Sequence, residues 1–244
     1  MTNDKDTIFR KPRQNDKGFH FDEMVAQVFP DMIGRSVPGY HYIIKLSGLI
    51  AKRFAQSDTA IYDLGCALGA TTFAMAESVD IDTCHFYAID NSRAMIKRAE
   101  EICKDRLSAM RQINWIIGDI TQQQLVPASV VAMNFTLQFV DKKQRSSLIE
   151  KIFNALVPGG VLIIAEKIEW EESTVNTVLT DLHLDFKRAN GYSELEIAGK
   201  RQAIEKVLVP ESIAVHTKRL QTIGFSTIAD LSQCLNFKAW LAIK

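Results

Sequence analysis

A chain of 244 residues, 47% hydrophobic and 24% charged, can bury one sizeable core plus an elaboration of it, so one α/β domain carrying an insert is expected. Its 29 basic and 29 acidic side chains cancel, which removes any bulk electrostatic reason to bind nucleic acid or an anionic membrane tightly. Cys66, Cys84, Cys103 and Cys234 form no C-x-x-C pair, no charged-then-apolar leader opens the chain, and no apolar run nears the roughly 20 residues that span a bilayer; a cytoplasmic protein with reduced thiols is predicted.

Residues 1–18 are polar and read as a flexible tail, leaving 19–244 as a single domain. Phe19 to Phe29 is amphipathic, and Pro30 and then Pro38-Gly39 are expected to break the chain before an apolar helix near Ile43 to Phe54. Five short apolar runs rich in β-branched and aromatic residues follow: Ala60 to Leu64, His85 to Ile89, Ile113 to Ile117, Val130 to Phe135 and Val161 to Ala165. Helical stretches such as Ser92 to Met110 and Lys142 to Leu156 separate most of them, an alternation that predicts a parallel, Rossmann-like sheet with crossover helices on both faces. Pro158-Gly159-Gly160 reads as the stop before the fifth strand. Two strand-like pieces after Gly224-Phe225 suggest an antiparallel C-terminal hairpin, bringing the sheet to seven strands. Between them, about residues 169–216 form a polar helical insert too long for a simple connection; it is expected over the carboxyl ends of the strands, as lid, substrate wall or subunit interface.

Chemistry concentrates at the strand ends. In Ile61 to Ala70 a strand breaks into a glycine-containing turn that opens a helix, with Gly65 and Gly69 free to adopt positive φ and Asp63 as an acceptor. The spacing is not G-x-G-x-x-G, so a dinucleotide fingerprint is not met. D-L-G-C-A-L-G instead matches the E/D-x-G-x-G-x-G motif usual in methyltransferases that bind S-adenosylmethionine, with Ala67 in place of the middle glycine; the plainer reading is a structural turn. Asp90, after the second strand, can accept both hydroxyls of a ribose or can cap the next helix, a role Ser92 fills equally well. Asp119 ends the third strand as an adenine-reading acid or a turn acid, and Asn134 is a polar residue in an apolar run that needs a partner or ligand. Tyr40 can bring a phenol over the same cleft or sit as a turn tyrosine, and Arg188 and Arg201 can fork onto a carboxylate or merely solvate the insert. His20, His41, His85, His183 and His216 have no metal-ligand spacing, and no G-x-S-x-G is present, so neither a metal nor a serine nucleophile is predicted.

Two blocks are more specific: Arg35-Ser36-Val37-Pro38-Gly39-Tyr40, and His183-Leu184-Asp185-Phe186-Lys187-Arg188-Ala189-Asn190-Gly191-Tyr192-Ser193-Glu194-Leu195-Glu196-Ile197. With Phe29 to Ile33, Tyr62 to Cys66, Ala88 to Ser92 and Asn134 to Phe139, they make the chain resemble the carboxy-S-adenosyl-L-methionine synthase family, over nearly its whole length past the tail. The resemblance implies a methyltransferase-like fold that converts S-adenosyl-L-methionine and prephenate to carboxy-S-adenosyl-L-methionine and phenylpyruvate. That product is the donor with which a separate tRNA carboxymethyltransferase modifies wobble uridine, so this chain would touch no tRNA. It also implies ligand contacts from Tyr40, Gly65, Cys66, Ala67, Asp90, Asn91, Asp119, Ile120 and Asn134. Arg201 would cross from the other subunit of a homodimer to the new carboxylate, with Tyr40 beside the reacting groups. The competing readings are an ordinary methyltransferase acting on a small molecule or tRNA, and a binding protein that keeps the adenosyl site without turnover.

Overall fold

The computed structural model describes residues 4–10, 19–106, 112–205 and 207–244. Helices α1 (Glu23–Ser36) and α2 (Tyr40–Phe54) precede β1 (Ala60–Leu64), α3 (Ala70–Ser78), β2 (His85–Asp90), α4 (Arg93–Arg106), β3 (Ile113–Ile117), β4 (Ala128–Asn134), a 3-10 turn at Leu137–Phe139, α5 (Lys142–Ala155) and β5 (Leu156–Lys167). The chain then runs through α6 (Ser173–Ala189), α7 (Glu194–Ile204) and α8 (Ile213–Ile223) to β6 (Thr227–Cys234) and β7 (Phe237–Ile243). The sheet order is β3-β2-β1-β4-β5-β7-β6. Strands β1 to β5 pair in parallel, β7 inserts antiparallel beside β5, and β6 closes the edge as the outer arm of the expected hairpin.

The two-residue period of the strands sorts the core into two layers. Tyr62, Leu64, Ile89, Val131, Met133, Leu162 and Ile164 pack with Leu148, Ile149 and Ile152 of α5 and Leu220 of α8. Their neighbours Ile61, Phe86, Ala88, Val130, Ala132, Val161 and Ile163 face Ile50 and Ala51 of α2, Phe73, Met75 and Ala76 of α3 and Ile96 of α4. The central strand β1 lies between β2 and β4, the two being reached by connections on opposite sides of it. That reversal opens a crevice at the strands' carboxyl ends.

Three sequence expectations are corrected. Pro30 does not break the chain but sits inside α1, because Val25, Ala26 and Val28 before it and Met32 after it are buried in one cluster, and that packing offsets the missing backbone donor. Pro158-Gly159-Gly160 does not end α5, which stops at Ala155; it lies within β5, where the β4–β5 register shifts between Ala128 and Val130. Residues 4–10 of the expected tail are packed: Asp6 is 1% exposed and Phe9 is buried with Phe19 and Val25, while 1–3 and 11–18 lie outside the described residues. The C-terminal part of the helix expected from Ser92 to Met110 also falls partly outside them, since α4 is described only to Arg106. Among the described residues no helix is long and apolar enough to cross a membrane.

Candidate active site

A cleft of about 850 Å³ lies over the carboxyl ends of β1, β2, β3, β4 and β5. One half is built by the turn after β1. The N–H groups of Gly65 and Cys66 donate to the Ile89 carbonyl at 2.8 and 3.1 Å, that of Ala67 to Asp90 Oδ2 at 2.9 Å, and that of Gly69 to the Cys66 carbonyl at 2.8 Å. These amides are therefore spent inside the protein and make no nest for a phosphate, which agrees with the missing dinucleotide spacing. Gly65 is required for a different reason than ligand approach: at φ 78° a Cβ would fall 2.2 Å from Thr136 Oγ1. Ala67 holds φ 46° without being glycine, a strained conformation at the cleft wall.

Asp90 and Ser92 divide the roles that the sequence left open. Ser92 Oγ accepts from the Met95 N–H at 3.1 Å and so caps α4, and it donates to the Phe21 carbonyl at 2.5 Å. Asp90 accepts from Ser92 N–H at 2.8 Å and from Ala67, and still lines the cleft, with burial raising its pKa against those two donors. Asn91, Asp119 and Ile120 line it too; Asp119 also accepts from Thr121 N–H and Oγ1, both at 2.8 Å, so it is a turn acid and a cleft acid at once. Asn134 donates to Ser47 Oγ and Thr71 Oγ1, both at 3.2 Å, and its buried Oδ1 has no partner. That orphaned acceptor is open to a donor from a ligand. Phe19, Phe21 and Phe139 wall the same side, with Phe21 edge-on to both others.

The other half is basic. Lys167 ends β5, His183 and Lys187 lie one turn apart on α6, and Lys200 comes from α7; all line the cleft with Tyr40, Val37, Phe135 and Phe237. Burial, helped by Lys187, drives the His183 ring down to about 3, and its Nε2 meets the Ser36 carbonyl at 2.8 Å. Burial lowers Lys187 to about 8, with Lys167 and Arg201 adding to the effect, and lowers Lys200 to about 7. Burial pushes the Tyr40 phenol upward, with Asp63 contributing, so it stays protonated as a donor. Glu166 braces the wall: fully buried, it accepts from the N–H groups of Thr136, Leu137 and Gln138 at 3.1, 2.8 and 3.0 Å, fixing the turn after β4.

Of the predicted site residues, Tyr40, Gly65, Cys66, Ala67, Asp90, Asn91, Asp119, Ile120 and Asn134 line this one cleft. Asp63 does not: it is 2% exposed, accepts from Thr72 Oγ1 at 2.6 Å, and is raised to about 7 by burial, so it anchors α3 from behind the turn. Arg201 also lies outside its own chain's cleft, with its side chain 57% exposed and 3.4 Å from Glu205. Arg188 is exposed and paired with Asp185 and Glu194. The sequence reading missed Lys167, Lys187, Lys200 and His183 as a group; their placement in the insert and at the end of β5 was visible, but their convergence was not.

The family model described as a methyltransferase domain matches residues 62–162. A carboxy-S-adenosyl-L-methionine synthase from Pseudomonas syringae is 48% identical over 246 residues, covering 100% of both chains. The chain belongs to the carboxy-S-adenosyl-L-methionine synthase family. Another member, from Pseudoalteromonas translucida, is 48% identical and covers 98% of this chain and 99% of its own. A putative S-adenosyl-L-methionine-dependent methyltransferase structure from Methanococcus maripaludis is similar in fold, with a TM-score of 0.60 at 17% identity, over 95% of this chain and 97% of that one. The structure of human N-acetylserotonin methyltransferase in complex with SAM has a TM-score of 0.58 at 16% identity over 91% of this chain and 55% of that one.

The residues present suit the adenosyl ligand this family implies. A nucleoside without phosphates needs acceptors for its hydroxyl, amino and ammonium donors, and the cleft offers Asp90, Asp119 and the orphaned Asn134 oxygen beside a turn with no spare amide nest. Among the described residues no group of three or more His, Cys, Asp or Glu side chains is placed to hold a metal ion.

Proposed function

We propose that the chain makes carboxy-S-adenosyl-L-methionine from S-adenosyl-L-methionine and prephenate, releasing phenylpyruvate and water. The observation that carries this reading is the division of one cleft into an acceptor-rich half without a phosphate nest and a lysine-rich half over an apolar floor. The first suits a phosphate-free nucleoside and the second an anionic partner held against it.

In the balanced reaction, prephenate loses its ring carboxylate as carbon dioxide and its ring hydroxyl as the ring aromatises. One methyl proton of the nucleoside leaves with that hydroxyl as water, and a carbon–carbon bond forms between the methyl carbon and carbon dioxide. The positive sulfur of S-adenosylmethionine supplies the acidity of that methyl group. The protein's part is orientation and confinement. Asp90, Asp119 and Asn134 hold the nucleoside, Tyr40 donates a hydrogen bond, and the Phe19, Phe21 and Phe139 wall limits water. Arg201 then meets the new carboxylate from a second copy of the chain; its side chain is 57% exposed at the edge of its own cleft, near enough to act on Lys167 and Lys187, and its exposure supports a reach across an interface. Val175, Val178 and Leu182, an exposed apolar row on α6, fit the same dimer. The product would pass to a tRNA carboxymethyltransferase; the zero net charge of this chain gives no cause for it to hold tRNA itself.

The test uses prephenate labelled at its ring carboxyl carbon. A sulfonium nucleoside heavier by one labelled carbon dioxide is expected. A methylated acceptor would point to an ordinary methyltransferase, and label found only in free carbon dioxide would overturn the capture step. Sedimentation at micromolar concentration should give a dimer; a fully active monomer would remove the crossing Arg201.

A further inference from the structure

The basic half of the cleft holds two ammonium groups that no described side chain pairs directly. Lys167 and Lys187 are both half-buried, and among the described residues neither ammonium group has a hydrogen-bond or ion-pair partner. Burial is the first cause that lowers each of them; Arg201 adds to it at Lys167, where Glu205 and Glu169 act the other way, and Lys167 and Arg201 add to it at Lys187, where every charge acting is another cation. Lys200 differs, because it donates to Ser36 Oγ at 2.9 Å, lies 5.5 Å from the Tyr192 ring centroid and feels the Asp6 carboxylate. A charge withdrawn from water is stabilised by pairing, so a lysine partly desolvated inside a cleft favours an anion beside it. Two unpaired ammonium groups on rigid elements, one at the end of β5 and one on α6, mark a position that an anion completes.

The surroundings limit what that anion can be. Ile33, Val37, Phe135 and Phe237 form an apolar floor beside the lysines, and His183, edge-on to Phe237 at 5.1 Å, stays uncharged there. An extended polyanion does not suit an apolar floor inside a cleft. A small ring or chain with two negative charges does: the floor takes its carbon body and the amines its anionic groups.

We infer that Lys167 and Lys187 are the specificity-determining residues for the second substrate, together neutralising the two carboxylates of a small dicarboxylate whose apolar body rests on Phe135 and Phe237. The inference rests on the proposed function, which supplies prephenate as that dicarboxylate. Lys200, tied to Ser36, is the framework of this wall rather than its free charge.

The experiment compares wild type with Lys167→Gln, Lys187→Gln and the charge-keeping Lys187→Arg. Loss of a charge-assisted contact should raise KM for prephenate by about 10- to 100-fold in each Gln variant. The dissociation constant for S-adenosylmethionine, measured by calorimetry, should not change, and Lys187→Arg should recover most of the KM. Unchanged KM in both Gln variants of a wild type that turns prephenate over would overturn the inference and leave the proposed function standing. So would weakened S-adenosylmethionine binding with unaltered KM, because the lysines would then hold the nucleoside's own carboxylate. If the wild type does not use prephenate, the proposed function fails instead, and titration with phenylmalonate, an aromatic dicarboxylate, decides the subsite: binding by wild type lost in the Gln variants supports it, and equal binding or none overturns it.

Discussion

The backbone N–H of Ala67 donates to Asp90 Oδ2 at 2.9 Å, so the turn after β1 and the acid after β2 form one unit. Asp90 thus holds the strained turn with Oδ2 and accepts from the Ser92 N–H with Oδ1, and lines the cleft with the remaining lone pairs of both oxygens. Asp90→Ala should weaken S-adenosylmethionine binding by about 1 to 3 kcal/mol, from the lost charged acceptor, with the fold retained. Calorimetry on a variant with wild-type circular dichroism checks this, and unchanged affinity would remove the ribose assignment.

Gly65 and Thr136 exclude each other's side chains. A Cβ on residue 65 would lie 2.2 Å from Thr136 Oγ1 and 2.3 Å from its Cγ2, on a backbone already at φ 78°. Gly65→Ala should cost about 3 kcal/mol or more, and in a Thr136→Gly background only the left-handed penalty of about 1 to 2 kcal/mol should remain. Urea denaturation of the four proteins measures the coupling; additive losses would mean the turn moves away from Thr136 freely.

His183 and His216 are buried and neutral, driven by burial to about 3 and about 4 from an ordinary 6.5. Below pH 6.5 the unfolded chain takes up protons that the folded one refuses, so stability present at neutral pH is lost as pH falls toward 4. At pH 5 the loss should be about 2 kcal/mol for each ring. His183→Gln and His216→Phe, the latter keeping a ring stacked on Trp240, should each flatten the fall in Tm between pH 7.5 and 5. Parallel pH profiles for variants and wild type would refute it.

Tyr192 donates to Asp6 Oδ2 at 2.5 Å while the Asp6 N–H donates to Asp31 at 2.7 Å, which fastens residues 4–10 to α1 and to the α6–α7 turn. Tyr192→Phe leaves a carboxylate 1% exposed short of one donor and should cost about 1 to 3 kcal/mol. Amide exchange should quicken first at residues 4–10; protection equal to wild type there would show that the clasp contributes nothing.

The elements were legible in the sequence because each is encoded locally. Short continuous apolar runs specify buried strands such as β4, expected at Val130 to Phe135 and found at Ala128–Asn134, and Ser193 with Glu196 spells the capping box that starts α7. The cofactor half was legible for a related reason: in a parallel sheet every strand ends at the same side, so Gly65, Asp90, Asp119 and Asn134 meet once the strand order is known. Local pattern failed where long-range packing outweighed it, as at Pro30 inside α1 and at Asp6, whose partners Asp31 and Tyr192 lie 25 and 186 residues away. The same limit hid the second-substrate wall. Lys167, Lys187 and Lys200 each look like an ordinary solvated lysine in sequence, and only the folding of α6 and α7 over the end of β5 brings them into one desolvated space, since electrostatic coupling depends on distance and burial that spacing along the chain does not encode.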